Sequence, residues 1–180
     1  MCFRSSKFRD ISVPSFYING KAIELVECHK YLGVWLTSDL KDDMDIVRQT
    51  RYVYASGNSL IRKFKDCSPE VKAQLFKSYC CSVYCSSLWS TYSKSSFCKL
   101  NVAFKRIFRG LLKIKGESIT GVMVQLGVNP LQVILRKLVN GFRTRVLQSS
   151  NNVVYALVNS MHFNSSLILK RWNDILFILN

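Results

Sequence analysis

Acidic side chains are scarce in the second half of this 180-residue chain, where only Glu117 and Asp174 follow residue 90. The same half holds 13 Lys and Arg residues, so 13 − 2 = +11 of the total formal charge of +15 resides there. A folded surface with so few counter-charges predicts an acidic partner.

Long apolar runs are also missing. No stretch approaches the roughly 18 residues needed to cross a bilayer, so we expect no membrane span. The opening residues lack an apolar leader segment, and the seven cysteines are odd in number. Together these features argue against a secreted disulfide framework and predict a reducing, intracellular environment, nuclear or cytoplasmic.

Signals for catalysis are weak. His29 and His162 are far apart and no Ser or Cys motif joins them, and no glycine-rich phosphate loop occurs. Asp42-Asp43 resembles a metal-binding doublet, but an acid-rich first helical turn that complements the helix dipole explains it better. We therefore expect neither a catalytic residue nor a metal site in this chain.

Three of the cysteines, Cys80, Cys81 and Cys85, lie close together in an apolar stretch. No second Cys or His pair offers zinc-ligand spacing. Core packing is the favoured interpretation.

Residues 1–38 contain strand signals. Asn19-Gly20 is typical of a type I′ turn and predicts a hairpin with strands at Ser12–Tyr17 and Lys21–Val26. Tyr31–Leu36, rich in aromatic and branched residues, predicts a third strand, in which Gly33 permits a bulge.

Helical periodicity dominates after Leu40. Ser68-Pro69 is a cap-plus-proline start for a helix that the pattern extends to about Tyr92, and Asn129-Pro130 repeats this start. Further helices are predicted from Leu40, over Phe97–Lys115, Ser118–Leu126 and Val153–Met161. With 48% apolar residues, we predict an α+β, mainly α protein. A small antiparallel strand unit (1–38) would precede a bundle of about five helices (39–161), and residues 162–180 support no structural prediction.

The 97–115 helix separates apolar from basic residues. Its predicted cationic side consists of Lys99, Lys105, Arg106, Arg109 and Lys113. Such a pattern usually indicates a helix face that is simply exposed to solvent. Here the shortage of acidic residues favours contact with nucleic-acid phosphates.

Several spaced groups resemble one family: Ile18-Asn19-Gly20, Lys30-Tyr31-Leu32-Gly33-Val34, Ser68-Pro69-Glu70-Val71-Lys72, Leu75-Phe76-Lys77-Ser78-Tyr79, Leu88-Trp89 and the Asn129-Pro130 helix. Over residues 1–161 the chain resembles the C-terminal part of reverse transcriptases of non-LTR (LINE-like, jockey-like) retrotransposons.

This resemblance implies a thumb-like helical domain and places Tyr31, Leu32 and Gly33 at a primer-grip-like position between palm and thumb. It implies that Cys2-Phe3-Arg4 corresponds to the final palm strand, so that the magnesium-binding palm carboxylates would precede this chain. The complete parent enzyme would need magnesium, and this chain alone would have no cofactor and no complete polymerase site. Its partners would be RNA, DNA or an RNA–DNA hybrid, together with the palm and fingers.

Two classes of hypothesis follow from the sequence, beside the possibility that a separately encoded upstream segment supplies the palm and restores catalysis. Either the chain is a transposable-element fragment that retains nucleic-acid binding, or it is a decayed reading frame or helical protein-interaction module with no nucleic-acid role.

Overall fold

The computed structural model describes residues 1–3 and 13–177. It contains four short strands and eight α-helices within these residues, which confirms the α+β, mainly α prediction. The strands are β1 (Tyr17–Ile18), β2 (Lys21–Ala22), β3 (Cys28–Tyr31) and β4 (Val34–Thr37). The helices are α1 (Asp43–Lys63), α2 (Pro69–Cys80), α3 (Lys94–Leu112), α4 (Ile119–Gln125), α5 (Leu131–Leu147), α6 (Asn152–Val158), α7 (Met161–Asn164) and α8 (Leu167–Phe177). None of these helices is long and apolar enough to cross a membrane.

The first hairpin forms at the predicted turn. Asn19 and Gly20 both have positive φ, at 50° and 76°, as a type I′ turn requires. Its strands are only two residues long, although the Ile23 N–H donates to the Phe16 carbonyl at 2.7 Å beyond them. Both strands are exposed to solvent, so packing against the core does not support longer strands. Residues 1–3 have no regular structure, while Arg4 and Ser12 lie outside the described residues.

The predicted single strand at Tyr31–Leu36 is wrong. β3 ends at Tyr31 and β4 begins at Val34, and the two pair antiparallel with Tyr31 opposite Val34. Leu32 and Gly33 form the turn between them, with φ of 47° and 84°. The stretch is therefore a second hairpin of the same geometry as the first, and Gly33 serves a turn instead of a bulge.

α1, α2 and α3 build the main core. Ser68 caps α2 by accepting the Val71 N–H at 3.4 Å, with Pro69 in the first helical position, as predicted. The predicted continuation to Tyr92 is wrong, because α2 ends at Cys80. Cys85 then adopts a positive φ of 59° before a short 3-10 helix at Ser86–Leu88.

The acidic start of α1 holds the connection between α2 and α3. Asp42 accepts the N–H groups of Ser90 and Thr91 at 2.7 and 2.8 Å. Asp43 accepts the Ser93 hydroxyl at 2.7 Å and also the hydroxyl of Ser96. The carboxylates therefore have a tertiary role that the dipole interpretation did not predict.

Asp45, fully buried, completes this junction. It accepts from Arg48 Nε at 2.6 Å, Trp89 Nε1 at 2.9 Å and the Trp35 N–H at 3.3 Å. One carboxylate thus joins β4, α1 and the segment before α3. Buried charge requires such pairing, because desolvation is costly.

α1 and α3 run side by side in the same direction. Asp43 lies near Ser96 at their N-terminal ends, and Gly57 meets Ile107 further along. The helices are so close that a Cβ at Gly57 would lie 2.1 Å from Ile107 Cγ2. Phe76 of α2 packs edge-on against Phe104 and Phe108, with ring centroids 4.9 and 5.1 Å away.

A second apolar cluster joins α5 to the C-terminal helices. Val139, Phe163 and Trp172 are its buried members. Trp172 Nε1 donates to the Ser87 carbonyl at 2.8 Å, which attaches α8 to the connection before α3. Residues 162–177, for which the sequence supported no prediction, are therefore an integral part of the fold.

α5 begins where expected, but its N-cap is Pro130 and not Asn129.

Candidate nucleic-acid interface

α3 has a buried side and a basic side. Ser93 caps the helix by accepting the Ser96 N–H at 3.1 Å, so α3 begins three residues before the predicted start. Leu100, Phe104, Ile107, Phe108 and Leu111 are buried in the main core, as their spacing predicts. This packing fixes the helix and turns its opposite side to solvent.

The structure brings all five predicted cations together on that side. Lys99, Arg106, Arg109 and Lys113 are exposed, and Lys105 is partly buried. We call these five residues the cationic face of α3. Among the residues described, none of the five has a hydrogen-bond or ion-pair partner, whereas Arg48 and Lys41 do. Their charge is therefore available to an external anion.

The length of the cationic face suits a nucleic-acid strand. Lys99 and Lys113 are 14 residues apart, or about 21 Å at about 1.5 Å per helical residue. One strand of B-form DNA advances about 3.4 Å per phosphate, so this length matches about six phosphates. This length is sufficient for several phosphate contacts.

Two of the five cations also have a structural explanation. Arg109 lies in the last turn of α3, and Lys113 is the C-cap, with a φ of 56°. Cations at a helix C-terminus interact favourably with the helix dipole. Lys99, Lys105 and Arg106 lie outside that last turn and have no such explanation.

The residues that the resemblance places at a primer-grip-like position lie on a separate element. Leu32 and Gly33 form the tip of the second hairpin, and Tyr31 precedes them at the end of β3. The Tyr84 hydroxyl donates to the Leu32 carbonyl at 3.2 Å and ties the tip to the segment after α2. A hydrogen bond with Cys85 raises the pKa of Tyr84 above its ordinary value.

The paired aspartates do not have the form of a metal site. Both are engaged by protein donors: the N–H groups of Ser90 and Thr91 at Asp42, and the hydroxyls of Ser93 and Ser96 at Asp43. Burial raises the pKa of Asp42 despite these N–H donors. For Asp43, burial opposes ionisation, but the bonds from Ser96 and Ser93 outweigh it and lower the pKa. Within 1–3 and 13–177, no group of three His, Cys, Asp or Glu side chains could hold a metal ion.

Cys80 and Cys81 follow the packing interpretation, whereas Cys85 is not among the residues of the main core and hydrogen-bonds with Tyr84. Cys80 is buried in the main core and Cys81 packs partly against it. Burial raises the pKa of both thiols to about 12. They are therefore protonated and unreactive near neutral pH.

Two further basic residues near α3 were not selected from the sequence. Lys94 is the first residue of α3, and Arg171 of α8 lies with its guanidinium 4.5 Å from the Tyr92 ring centroid. Arg171 could not have been found, because its helix was not predicted. Lys94 precedes the predicted start of the helix and so fell outside the periodic pattern.

Comparison of the chain with protein-family models, with curated proteins and with solved structures found no match.

Proposed function

We propose that this chain binds nucleic acid through its phosphate backbone, as the thumb-side part of a non-LTR retrotransposon reverse transcriptase. The observation that carries the proposal is the cationic face of α3, five basic side chains with no partner among the described residues, on a helix whose opposite side is buried in the main core. The assignment to a reverse transcriptase rests on the sequence resemblance. Binding, and not catalysis, is proposed, because Asp42 and Asp43 are engaged in tertiary hydrogen bonds.

Charge distribution supports a phosphate ligand over simple solvation. Exposed basic residues on a helix normally alternate with acidic ones and form weak surface ion pairs. α3 contains no acidic residue along its whole length. The like charges on this surface repel one another, and an anion that binds there reduces this repulsion.

The tip of the second hairpin supports a contact of another kind. The first hairpin uses Asn at the leading turn position, where positive φ is tolerated, but the second uses Leu32, which is 74% exposed. A leucine there is strained and its side chain covers nothing. An apolar contact with the sugar or base of a primer end would account for this residue.

The proposal can be tested with matched charge reversals in the full chain. Lys99→Glu/Arg106→Glu reverses two charges on the cationic face, away from the C-terminus of α3, where an acidic residue would itself be destabilising. Lys137→Glu/Lys170→Glu reverses two exposed lysines on α5 and α8 and changes the net charge equally. We expect the first pair to weaken binding to an RNA–DNA hybrid at low salt by more than about tenfold, and the second by less than about threefold.

Circular dichroism of both double variants checks that the helical fold is kept. Equal losses in the two would mean that only net charge matters, and would refute a specific interface on α3.

A helical protein-interaction module is the second candidate. The specific observation in its favour is the segment 146–169, which contains no Asp, Glu, Lys or Arg. Several of its apolar side chains are exposed, including Val153 at 78% and Met161 at 88%. Uncharged surfaces with exposed Met and aromatic residues are typical of protein interfaces. Under this alternative, hybrid binding would be absent and the α3 reversals would change nothing.

A further inference from the structure

A cleft of about 670 Å³ opens between the start of α3, the first half of α5, and α8. Its volume lies within the range of small-molecule sites. The side chains that give it chemical character are aromatic, amide and charged: Tyr92, Lys94, Phe97, Gln132, Arg171 and Asp174.

We propose that this cleft binds a nucleoside phosphate, with the phosphate near Lys94 and Arg171 and the base against Phe97. The ligand could be a free nucleotide or the terminal nucleotide of a bound strand. If the ligand is the terminal nucleotide of a bound strand, this proposal rests on the proposed function of nucleic-acid binding.

Charge in the cleft favours an anion. Among the described lining residues, Lys94 and Arg171 outnumber the carboxylate of Asp174, while Arg136 donates to the Ile175 carbonyl at 3.1 Å. The guanidinium of Arg171 donates to the Tyr92 hydroxyl, which fixes its positive charge at the wall of the cleft.

The aromatic wall favours a flat base over a simple anion. Phe97 lies 5.8 Å from Tyr92 between ring centroids, with the planes tilted by 36°. One face of Tyr92 is occupied by the Arg171 guanidinium. Phe97 is only partly buried and offers a ring on which a base can stack. The exposed Gln132 amide can both donate to and accept from a base edge.

The position of the cleft connects it to the cationic face of α3. Lys94 precedes Lys105 by 11 residues, close to three full helical turns, so the two lie on the same side of α3. A strand held along the cationic face could therefore present its end to the cleft. The same helix would contribute to both contacts.

Isothermal titration of the full chain with adenosine 5′-monophosphate tests the assignment, with inorganic phosphate and adenosine as separate probes. We expect saturable binding of the nucleotide, at least about tenfold tighter than either probe. Lys94→Gln should weaken it about tenfold, and Gln132→Ala several-fold. Lys137→Gln, which removes an exposed charge of α5 outside the cleft lining, should leave the affinity unchanged.

Three outcomes would overturn the assignment. These are no nucleotide binding at millimolar concentration, phosphate binding as tight as the nucleotide, or equal weakening by Lys94→Gln and Lys137→Gln. A hybrid with a recessed end, compared with a blunt one, separates the two ligand sources. Hybrid binding that remains sensitive to Lys99→Glu/Arg106→Glu while the nucleotide fails to bind would refute the cleft alone and leave the proposed function standing.

Discussion

Gly57 is the single residue on which the contact between α1 and α3 most depends. Its backbone lies so close to Ile107 that an added Cβ would be 2.1 Å from the Cγ2 atom, well inside van der Waals contact. Glycine normally weakens a helix interior by about 1 kcal/mol relative to alanine. Here that cost is outweighed by the close approach that glycine allows.

Gly57→Ala should therefore destabilise the protein by about 1–3 kcal/mol, because overpacking forces the two helices apart. Urea denaturation measures the change. Gly141→Ala, inside α5, is the matched control, since its new methyl would meet only Arg145 Nη1 at 3.7 Å. The control should be neutral or stabilising by up to about 1 kcal/mol. If Gly57→Ala behaves like the control, the close packing of α1 on α3 is wrong.

Asp43 should make stability depend on pH in a defined direction. Its pKa lies below the ordinary value of 3.8 because hydrogen bonds from Ser96 and Ser93 outweigh the effect of burial. A lowered folded-state pKa stabilises the protein above the unfolded pKa, and this contribution is lost as pH falls through the folded value.

Replacing Asp43 with Asn removes the charge and keeps one acceptor oxygen. Asp43→Asn should therefore be less stable than the natural chain by about 1 kcal/mol near pH 6, the extra strength of a charge-assisted hydrogen bond. The difference should close as pH falls below about 3.8. Burial is the main cause of the raised pKa of Asp42, and the Asp43 charge adds to it, so Asp43→Asn also lowers the pKa of Asp42. Urea denaturation at several pH values checks this, and a difference that grows on acidification would contradict it.

Among the elements, the two hairpins show how far local sequence determines structure. Asn19-Gly20 was predictable, since both residues favour the left-handed region. Leu32-Gly33 adopts the same conformation, but leucine rarely does, so the sequence predicted one strand where there are two. The half-buried position of β4, and the bond from the Trp35 N–H to Asp45, hold the second hairpin in place.

Leu32→Asn separates stability from function at this hairpin. Asparagine tolerates the turn conformation, so the variant should be more stable by up to about 1 kcal/mol, as measured by thermal unfolding. If Leu32 contacts a primer end, hybrid binding should nevertheless weaken several-fold. Asn19→Leu in the first hairpin is the reverse control and should lose stability with no loss of binding. Unchanged binding by Leu32→Asn would remove the primer-grip-like role.

The helices show the same difference between features that local sequence predicts and features that it does not. Ser68-Pro69 fixed the start of α2, and the apolar spacing of α3 identified its buried side, because both signals are local. The end of α2 escaped prediction, since apolar residues keep helical spacing past Cys80 while Cys85 turns the chain with a positive φ. α8 escaped as well. Its stability comes from Trp172 packing against Phe142 and Phe163, contacts that join distant parts of the sequence.

Viewed as a whole, the molecule combines two apolar clusters with one strongly basic side. α5 contributes Leu131 and Leu135 to the main core and Val139 to the second cluster, so it joins them. The acidic start of α1 fixes the segment from which α3 begins. The cationic face is thus set on a helix fixed at its N-terminal end and along its buried side, which favours a preorganised binding surface.

The members of the cationic face were predictable from sequence, because a surface helix reveals its exposed side through the spacing of its apolar residues. The cleft at the start of α3 was not, because three elements far apart in sequence, α3, α5 and α8, form its walls. Local patterns identify a helix face, but they do not place one helix beside another.

The salt dependence of hybrid binding tests the central claim most directly. If the five cations of α3 each neutralise one phosphate, the slope of log affinity against log salt concentration should be about −3.5 to −4.5, from about 0.7 to 0.9 per contact. Lys99→Gln should make that slope shallower by about 0.7 to 0.9, the contribution of one phosphate contact. Lys137→Gln should leave the slope unchanged. Weak binding at low salt with a slope near zero would contradict the account.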